Sequence, residues 1–289
     1  MDRRNIYPLY MVIVPALVFV VFFVIPSSIG YAYAFTNWSA ARSANLRFTG
    51  LENLVSVIRD RKLPVALVNT LIYAAAKTVT VTFLGLFFAS LLNRQIRTRM
   101  ILRTIYYVPA ILSALVVGLT FSAVFDTRHG IINEIIKFMG GQPVQWFGGR
   151  FTAIIAISAA EIWRNTGYAI VISLAGMQTV PSEYLEAAKI DGASEWQTYR
   201  VVILPMIMSI VNVNILFSLI YGLKMFDLIY IMTSGGPGSS TESLGTLMMN
   251  EMAAGRYAQS VAVNFVFTLV LIAVSVVWQK TSETWEYAE

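Results

Sequence analysis

The sequence predicts an all-α membrane protein of six transmembrane helices, and three observations carry that prediction. Of its 289 residues, 57% are hydrophobic and only 13% are charged, against about 25% charged in a soluble domain. Mean hydropathy is +0.65. Four charge-free runs, 5–41, 104–125, 201–223 and 257–279, each exceed the roughly 20 residues that cross a hydrocarbon core of about 30 Å at about 1.5 Å per residue. Two further apolar segments, 64–93 interrupted by Lys77 and 151–180 interrupted by Glu161 and Arg164, are long enough despite their charges.

These segments predict helices at 9–35, 65–92, 104–125, 151–176, 201–231 and 258–278, within a single transmembrane domain of residues 1–289. The first follows Arg3 and Arg4, as a secretory signal would. Its apolar core from Leu9 to Ile29 is longer than a signal core, and no small-x-small cleavage pattern closes it at the right distance, so a retained helix is expected. Pro15 and Pro26 lie in the first helix, Pro109 in the third and Pro205 near the start of the fifth. Lipid tolerates such breaks only where protein or a cavity satisfies the freed backbone groups, so these helices should pack against others. The segment SGGPGSST at 234–241 reads as a turn at the outer end of the fifth helix.

Orientation follows the Lys and Arg of short loops. With the N-terminus inside, nine basic residues fall on each side, so the total does not decide. Density does. Arg94, Arg97, Arg99 and Arg103 lie hard against helix ends, whereas Arg42, Arg47, Arg59, Arg61 and Lys62 are spread over a long loop. Both termini are therefore expected in the cytoplasm, with the chain in the cytoplasmic (inner) cell membrane. The net charge of +5 then reads as membrane topology, and no motif supports a nucleic-acid partner. The absence of cysteine and the single His129 exclude thiolate chemistry and multi-histidine metal or catalytic sites.

Between the fourth and fifth helices, residues 179–200 have the grammar of two helices joined by a turn. Ser182 can cap the first, with Glu183 in its first turn. Asp191-Gly192 is a turn dipeptide, and Ser194 with Gln197 forms a capping box for a second helix running through Trp196, Tyr199 and Arg200. Ala187 and Ala188 give a surface without bulk that suits a groove on a partner, and Glu186 offers a charge to pair there. A connector lying on the membrane surface would look the same.

Glu186-Ala187-Ala188, then Gly192, then Leu204-Pro205 fit the EAA motif of ABC importer permeases, E-A-A-x3-G-x9-I-x-L-P, with Val202 at its isoleucine. VPSEYLEAAKIDGASEWQTYRVVILP resembles the extended signature of the carbohydrate-uptake branch. FTGLENLV, NTLIYAA, LLNRQIRTRMILRTIYYVPAILS and FDLIYIMTSGGPGSSTESL carry the likeness along nearly the whole chain. The sequence thus resembles the ABC transporter permease subunits of the maltose-type, binding-protein-dependent family, first-permease type. That resemblance implies a type I importer permease fold with a cytoplasmic coupling helix. It implies a second homologous permease, an ATP-binding cassette ATPase dimer, an extracytoplasmic solute-binding protein and a sugar substrate as partners. The chain has no G-x-x-x-x-G-K-[ST] loop, so it is expected to be a transport subunit without a cofactor of its own, ATP and Mg being bound by the ATPase. Glu186, Ala187, Ala188, Asp191, Gly192 and Ala193 would contact or position that partner.

Charges inside spans cost roughly 2.5–3.5 kcal/mol each at a helix centre, so Lys77, Glu161, Arg164, Lys224 and Asp227 need partners or water. Glu161 with Arg164, and Lys224 with Asp227, stand three apart and read as pairs. Arg164, Asn165 and Tyr168 share one side of the fourth helix, and Ser218, Tyr221, Gly222 and Met225 follow i, i+3, i+4, i+7 on the fifth. Polar groups for hydroxyls and aromatic faces for C–H surfaces suit a sugar. The resemblance implies a sugar site on the same two helices, with Tyr168, Ser218 and Tyr221 at matching positions. Interhelical packing would use the same residue types. A proton- or sodium-coupled secondary transporter is the alternative from another class, but it leaves the EAA loop unexplained. A membrane hydrolase lacks the histidines it would need.

Overall fold

The computed structural model describes residues 10–42, 45–94 and 97–286. Among them every regular element is helical: α1 (Tyr10–Tyr33), α2 (Glu52–Arg59), α3 (Lys62–Leu92), α4 (Arg99–Ile111), α5 (Ala114–Val124), α6 (Ile131–Phe138), α7 (Arg150–Met177), α8 (Ser182–Ile190), α9 (Glu195–Met206), α10 (Met208–Leu223), α11 (Asp227–Thr233), α12 (Leu244–Ala253) and α13 (Tyr257–Glu286). Three helices, α1, α3 and Tyr257–Ser282 of α13, are long and apolar enough to cross a membrane, and there are five if the bent pairs α4–α5 and α9–α10 each count as one span. Helix α7 is not among them, although its 28 residues would reach about 42 Å at about 1.5 Å per residue. Its apolar surface is diluted by Arg150, Glu161 and Arg164.

Two of the expected uninterrupted helices are broken. The third bends by 97° between Ile111 and Ala114, where Ser113 turns extended and caps α5 by accepting from the Val116 N–H at 3.3 Å. The fifth bends by 74° at Ile207 and ends at Leu223, with Asp227–Thr233 following as a separate helix. Pro109 and Pro205 each lie two or three residues before a break, in keeping with the lost backbone N–H and ring clash of proline. In α1 the disturbance is a π-helical turn over Val20–Val24, between Pro15 and Pro26.

The chain forms two compact units, a smaller one of the described residues up to Leu63 with Leu247–Thr268, and a larger one of Pro64–Thr246 with the residues from Leu269 on. In the smaller unit, the side chain of Asn53 on α2 donates to the carbonyls of Ala34 and Thr36 at 2.8 and 2.7 Å, tying the loop after α1 in place. Trp38 stacks between Tyr33 and Tyr257, at 4.6 and 4.9 Å between ring centroids.

In the larger unit α7 is the hub, packed against α4, α5, α10 and α11. Two apolar clusters bracket it: Tyr73, Val117, Ile157 and Ile229 toward one end, Ala89, Ile170, Leu174 and Ile207 toward the other. Small residues permit the close approach on which lipid-embedded packing depends. A Cβ on Gly167 would stand 2.2 Å from the carbonyl oxygen of Tyr106, and one on Gly85 2.6 Å from the Ala169 Cβ. The 234–241 turn is drawn inward: the Asn69 amide donates to the carbonyls of Ser240 and Glu242 at 2.9 Å each, Arg150 holds Asn69 from the other side at 2.9 Å, and Tyr73 donates to the Thr241 carbonyl at 3.2 Å. Thr241, Glu242 and Ser243 are buried as a result.

Candidate functional site

Helices α3, α7 and α10 line a cavity of about 330 Å³, with Lys77 and Val81 from the first, Asn165, Tyr168, Ala169 and Ile172 from the second, and Asn214, Phe217, Ser218 and Tyr221 from the third. A second cavity of about 290 Å³ adjoins it through Lys77, Asn165, Tyr168 and Tyr221 and reaches Glu161, Arg164, Lys224, Met225 and Asp227. Six of the seven residues expected along the pathway therefore converge: Arg164, Asn165, Tyr168, Ser218, Tyr221 and Met225. Gly222 does not. It faces Ala74, whose Cα a Cβ at that position would meet at 2.7 Å, so its role is to let α10 approach α3. Met225 joins the wall from beyond the end of α10, not from the helix face its spacing suggested.

The wall is amphipathic. Tyr168, Phe217 and Tyr221 are exposed, and Tyr107 meets Tyr168 edge-on at 5.3 Å. Asn165 donates to the Glu161 carbonyl at 2.9 Å, which leaves its amide oxygen as an acceptor. Asn214, which the sequence did not single out, is fixed by the Ser173 hydroxyl at 3.3 Å.

At the junction of the cavities lies a buried ionic triad. Glu161 accepts a hydrogen bond from Lys77 at 2.6 Å through Oε1, and its Oε2 forms an ion pair with Arg164 at 3.0 Å. The side chains of Lys77 and Glu161 are each only 4% exposed. The Glu161–Arg164 pair is the one expected from their spacing. Lys77 joins from 84 residues away in sequence, and its ammonium stands 5.7 Å from the centroid of Tyr221. The expected Lys224–Asp227 pair is absent among the described residues, because α10 ends at Leu223, leaving Lys224 as its C-cap, while Asp227 opens the separate helix α11. A buried charge of either sign would be costly alone, whereas this carboxylate is flanked by two cations, one hydrogen-bonded to Oε1 and one paired with Oε2.

The loop of residues 179–200 folds as the helix–turn–helix its sequence predicts, with one shift. Pro181 occupies the N-cap, so Ser182 falls inside the first turn of α8 and its hydroxyl caps nothing. The helix then ends in a Schellman turn: the Gly192 N–H donates to the Lys189 carbonyl at 3.1 Å and the Ala193 N–H to the Ala188 carbonyl at 2.9 Å. Gly192 is the residue at positive φ, +74°, which explains the Asp-Gly-Ala spelling. Ser194 and Gln197 complete the reciprocal capping box at 3.3 and 2.8 Å. Of the alanines, Ala187 is exposed and Ala188 is buried. Exposed apolar surface instead comes from Tyr184, Trp196 and Ile190, the last 87% exposed. Glu186 and Asp191 are exposed beside them, and Ala193 is half-buried.

Residues 81–283 match the family of binding-protein-dependent transport system inner membrane components. Along the chain, the multiple sugar-binding transport system permease protein MsmF of Streptococcus mutans is 34% identical, covering 95% of this chain and 94% of its own. The trehalose/maltose transport system permease protein MalF of Thermococcus litoralis is 29% identical, covering 94% and 92%. The crystal structure of a bacterial ABC transporter that imports the acidic polysaccharide alginate contains a chain with a TM-score of 0.84 and 19% identity, covering 97% of this chain and 96% of that one. The fold is thus that of a type I ABC importer permease, and its relatives are transport subunits and not enzymes. A loop with the EAA spacing, helices that line a cavity, and likeness from end to end make the chain a member of the binding-protein-dependent transport system inner membrane component family.

Proposed function

We propose that the chain is one of two pathway-forming permeases of an ATP-driven importer of a sugar or oligosaccharide in the cytoplasmic membrane. An extracytoplasmic binding protein delivers the solute, a homologous permease completes the pathway, and a separate ATPase dimer binds ATP and Mg. The observation that carries the reading is the pairing of an amphipathic cavity on α3, α7 and α10 with an exposed EAA helix on the same α7–α10 connection. The two saccharide permeases that match over more than nine-tenths of this chain support the substrate class.

In this reading α7 is a sixth span, its charges neutralised within the protein, and both termini are cytoplasmic. The saccharide stacks its C–H faces on Tyr168, Tyr221 and Phe217, while Asn165, Ser218 and Arg164 meet its hydroxyls. Glu186 and the apolar rim of Tyr184, Ile190 and Trp196 seat α8 in a cleft of the ATPase. Gly192 and the capping box make α8 and α9 a stiff lever, so motion of the ATPase reaches α10 without being lost in the loop. Ion-coupled transport gains nothing from the geometry, because Glu161 is held by two cations and is not a lone coupling carboxylate.

Reconstituted complexes separate the two parts. Alanine at both Tyr168 and Tyr221 should abolish uptake and leave basal ATPase activity. Gly192→Val should leave insertion intact and cut uptake by about tenfold or more, since an L-residue in the left-handed region costs about 1–2 kcal/mol and distorts the lever. Unchanged uptake kinetics in the tyrosine variant would remove the pathway, and normal uptake by Gly192→Val would remove the lever.

A further inference from the structure

The link between α3 and α4 carries a charge pattern that neither the pathway nor the lever uses. Asn93–Thr104 reads NRQIRTRMILRT, with four arginines and no Asp or Glu. Arg94 is taken by Glu195. The other three, Arg97, Arg99 and Arg103, line a single cavity of about 570 Å³ together with Asn93, Met100 and Gln178. No carboxylate pairs with them among the described residues, and the Nε groups of Arg99 and Arg103 are buried without an acceptor.

Gln178, just past the end of α7, lies against Arg99 and Arg103, where its amide oriented to accept gives them a neutral acceptor but no countercharge. Helix α4 also begins here, at Arg99, with no side-chain cap from Thr98 and no acidic residue in its first turn. Its free N–H groups and the positive end of its dipole add to the guanidiniums. Three like charges converging on one cavity repel one another until an anion joins them. Topology explains why arginines lie on this side of the membrane, but not why three share a cavity. The same turn exposes apolar side chains: Met100 is 73% exposed and Ile101 63%.

We propose that this cavity binds the phosphate headgroup of an anionic phospholipid. Arg99 and Arg103 engage the phosphate oxygens with their planar donor forks, Arg97 adds charge, and the acyl chains lie along Met100 and Ile101. Basic pockets beside membrane helices on the cytoplasmic side are suited to such headgroups. The site is independent of the cargo and of the ATPase contact, so it stands or falls separately from the transport reading.

Native mass spectrometry of the full chain in detergent, titrated with phosphatidylglycerol, phosphatidylcholine or inorganic phosphate, tests it. The unaltered protein should retain phosphatidylglycerol at least about tenfold more tightly than phosphatidylcholine. R99K/R103K keeps the charges that orient the chain but loses the forks, and should weaken phosphatidylglycerol about tenfold. R97Q/R99Q/R103Q should make the two lipids equivalent, and if that variant does not insert, the lysine variant decides alone. Equal phosphatidylglycerol retention by the unaltered and lysine proteins would place the lipid elsewhere and overturn the proposal. Equally tight occupation by inorganic phosphate would make this a soluble-anion site and overturn the lipid assignment.

Discussion

The cavity on α3, α7 and α10 and the helix–turn–helix of α8 and α9 are built on opposite principles. The cavity owes its shape to long-range packing: Lys77 reaches Glu161 across 84 residues of sequence, and Gly222 brings α10 against Ala74. The loop owes its shape to neighbours within six residues of one another, through a Schellman turn at Gly192 and a capping box at Ser194. The difference teaches where each region can yield. Under the proposed function, a pathway that must change shape would rely on packed helices with discrete arrangements, and a lever that must not change shape would rely on local hydrogen bonds.

The largest effect should come from breaking the triad. Glu161→Gln leaves Lys77 and Arg164 facing each other without their carboxylate, and removing one partner of a buried ion pair costs about 3–5 kcal/mol. Thermal unfolding of the purified chain should show it, and Lys77→Met in the same protein should restore part of the loss by removing the stranded ammonium. Unfolding no earlier than the unaltered protein would mean that water reaches Glu161. Next comes Gly222→Ala, which forces α10 away from α3 at a cost of about 1–3 kcal/mol. Because Gly222 packs and does not line the cavity, stability should fall while the apparent affinity for the transported solute holds. A reversed outcome would return Gly222 to the pathway.

The same contrast decides what could be read from the sequence. The capping box and the Asp-Gly turn are local, so the loop was legible almost to the residue. The exception is Ser182, displaced from its cap because Pro181 already supplies the extended backbone that precedes a helix. Apolar runs pointed to long helices, three of which are apolar enough to cross a membrane, but not to the 97° and 74° bends, since proline marks a weak point without giving the angle or place of the break. Glu161–Arg164 was legible from i, i+3 spacing. Lys77 was legible only as a charge in need of a partner, because nothing in one sequence fixes the register of α3 against α7. The Lys224–Asp227 pairing failed for a related reason: spacing implies a shared face only if the helix continues, and α10 stops at Leu223.

Within the loop, smaller effects test whether it is as locally determined as its hydrogen bonds imply. Ser194→Ala removes one half of the capping box and should cost about 1 kcal/mol. Hydrogen exchange should speed at Glu195–Gln197 and stay unchanged in α7. Exchange spreading into α7 or α10 would show that the lever is continuous with the core and not an independent piece.

The smallest effect concerns an ion pair that ties this loop to the end of α3. Arg94 and Glu195 pair at the surface, their side chains 60% and 80% exposed, and exposed pairs contribute about 0.2–1 kcal/mol. A double-mutant cycle with Arg94→Gln and Glu195→Gln should give a coupling energy within that range, falling as salt is raised. That value would be several times smaller than the effect of breaking the triad, although both interactions join an arginine or lysine to a glutamate at hydrogen-bonding distance. Burial makes the difference, since solvent screens one pair and has been excluded from the other. A coupling energy approaching that of Glu161 would mean that the loop is anchored to the end of α3 and does not hinge there, and the lever would then have to move as one piece with α3 as well as α10.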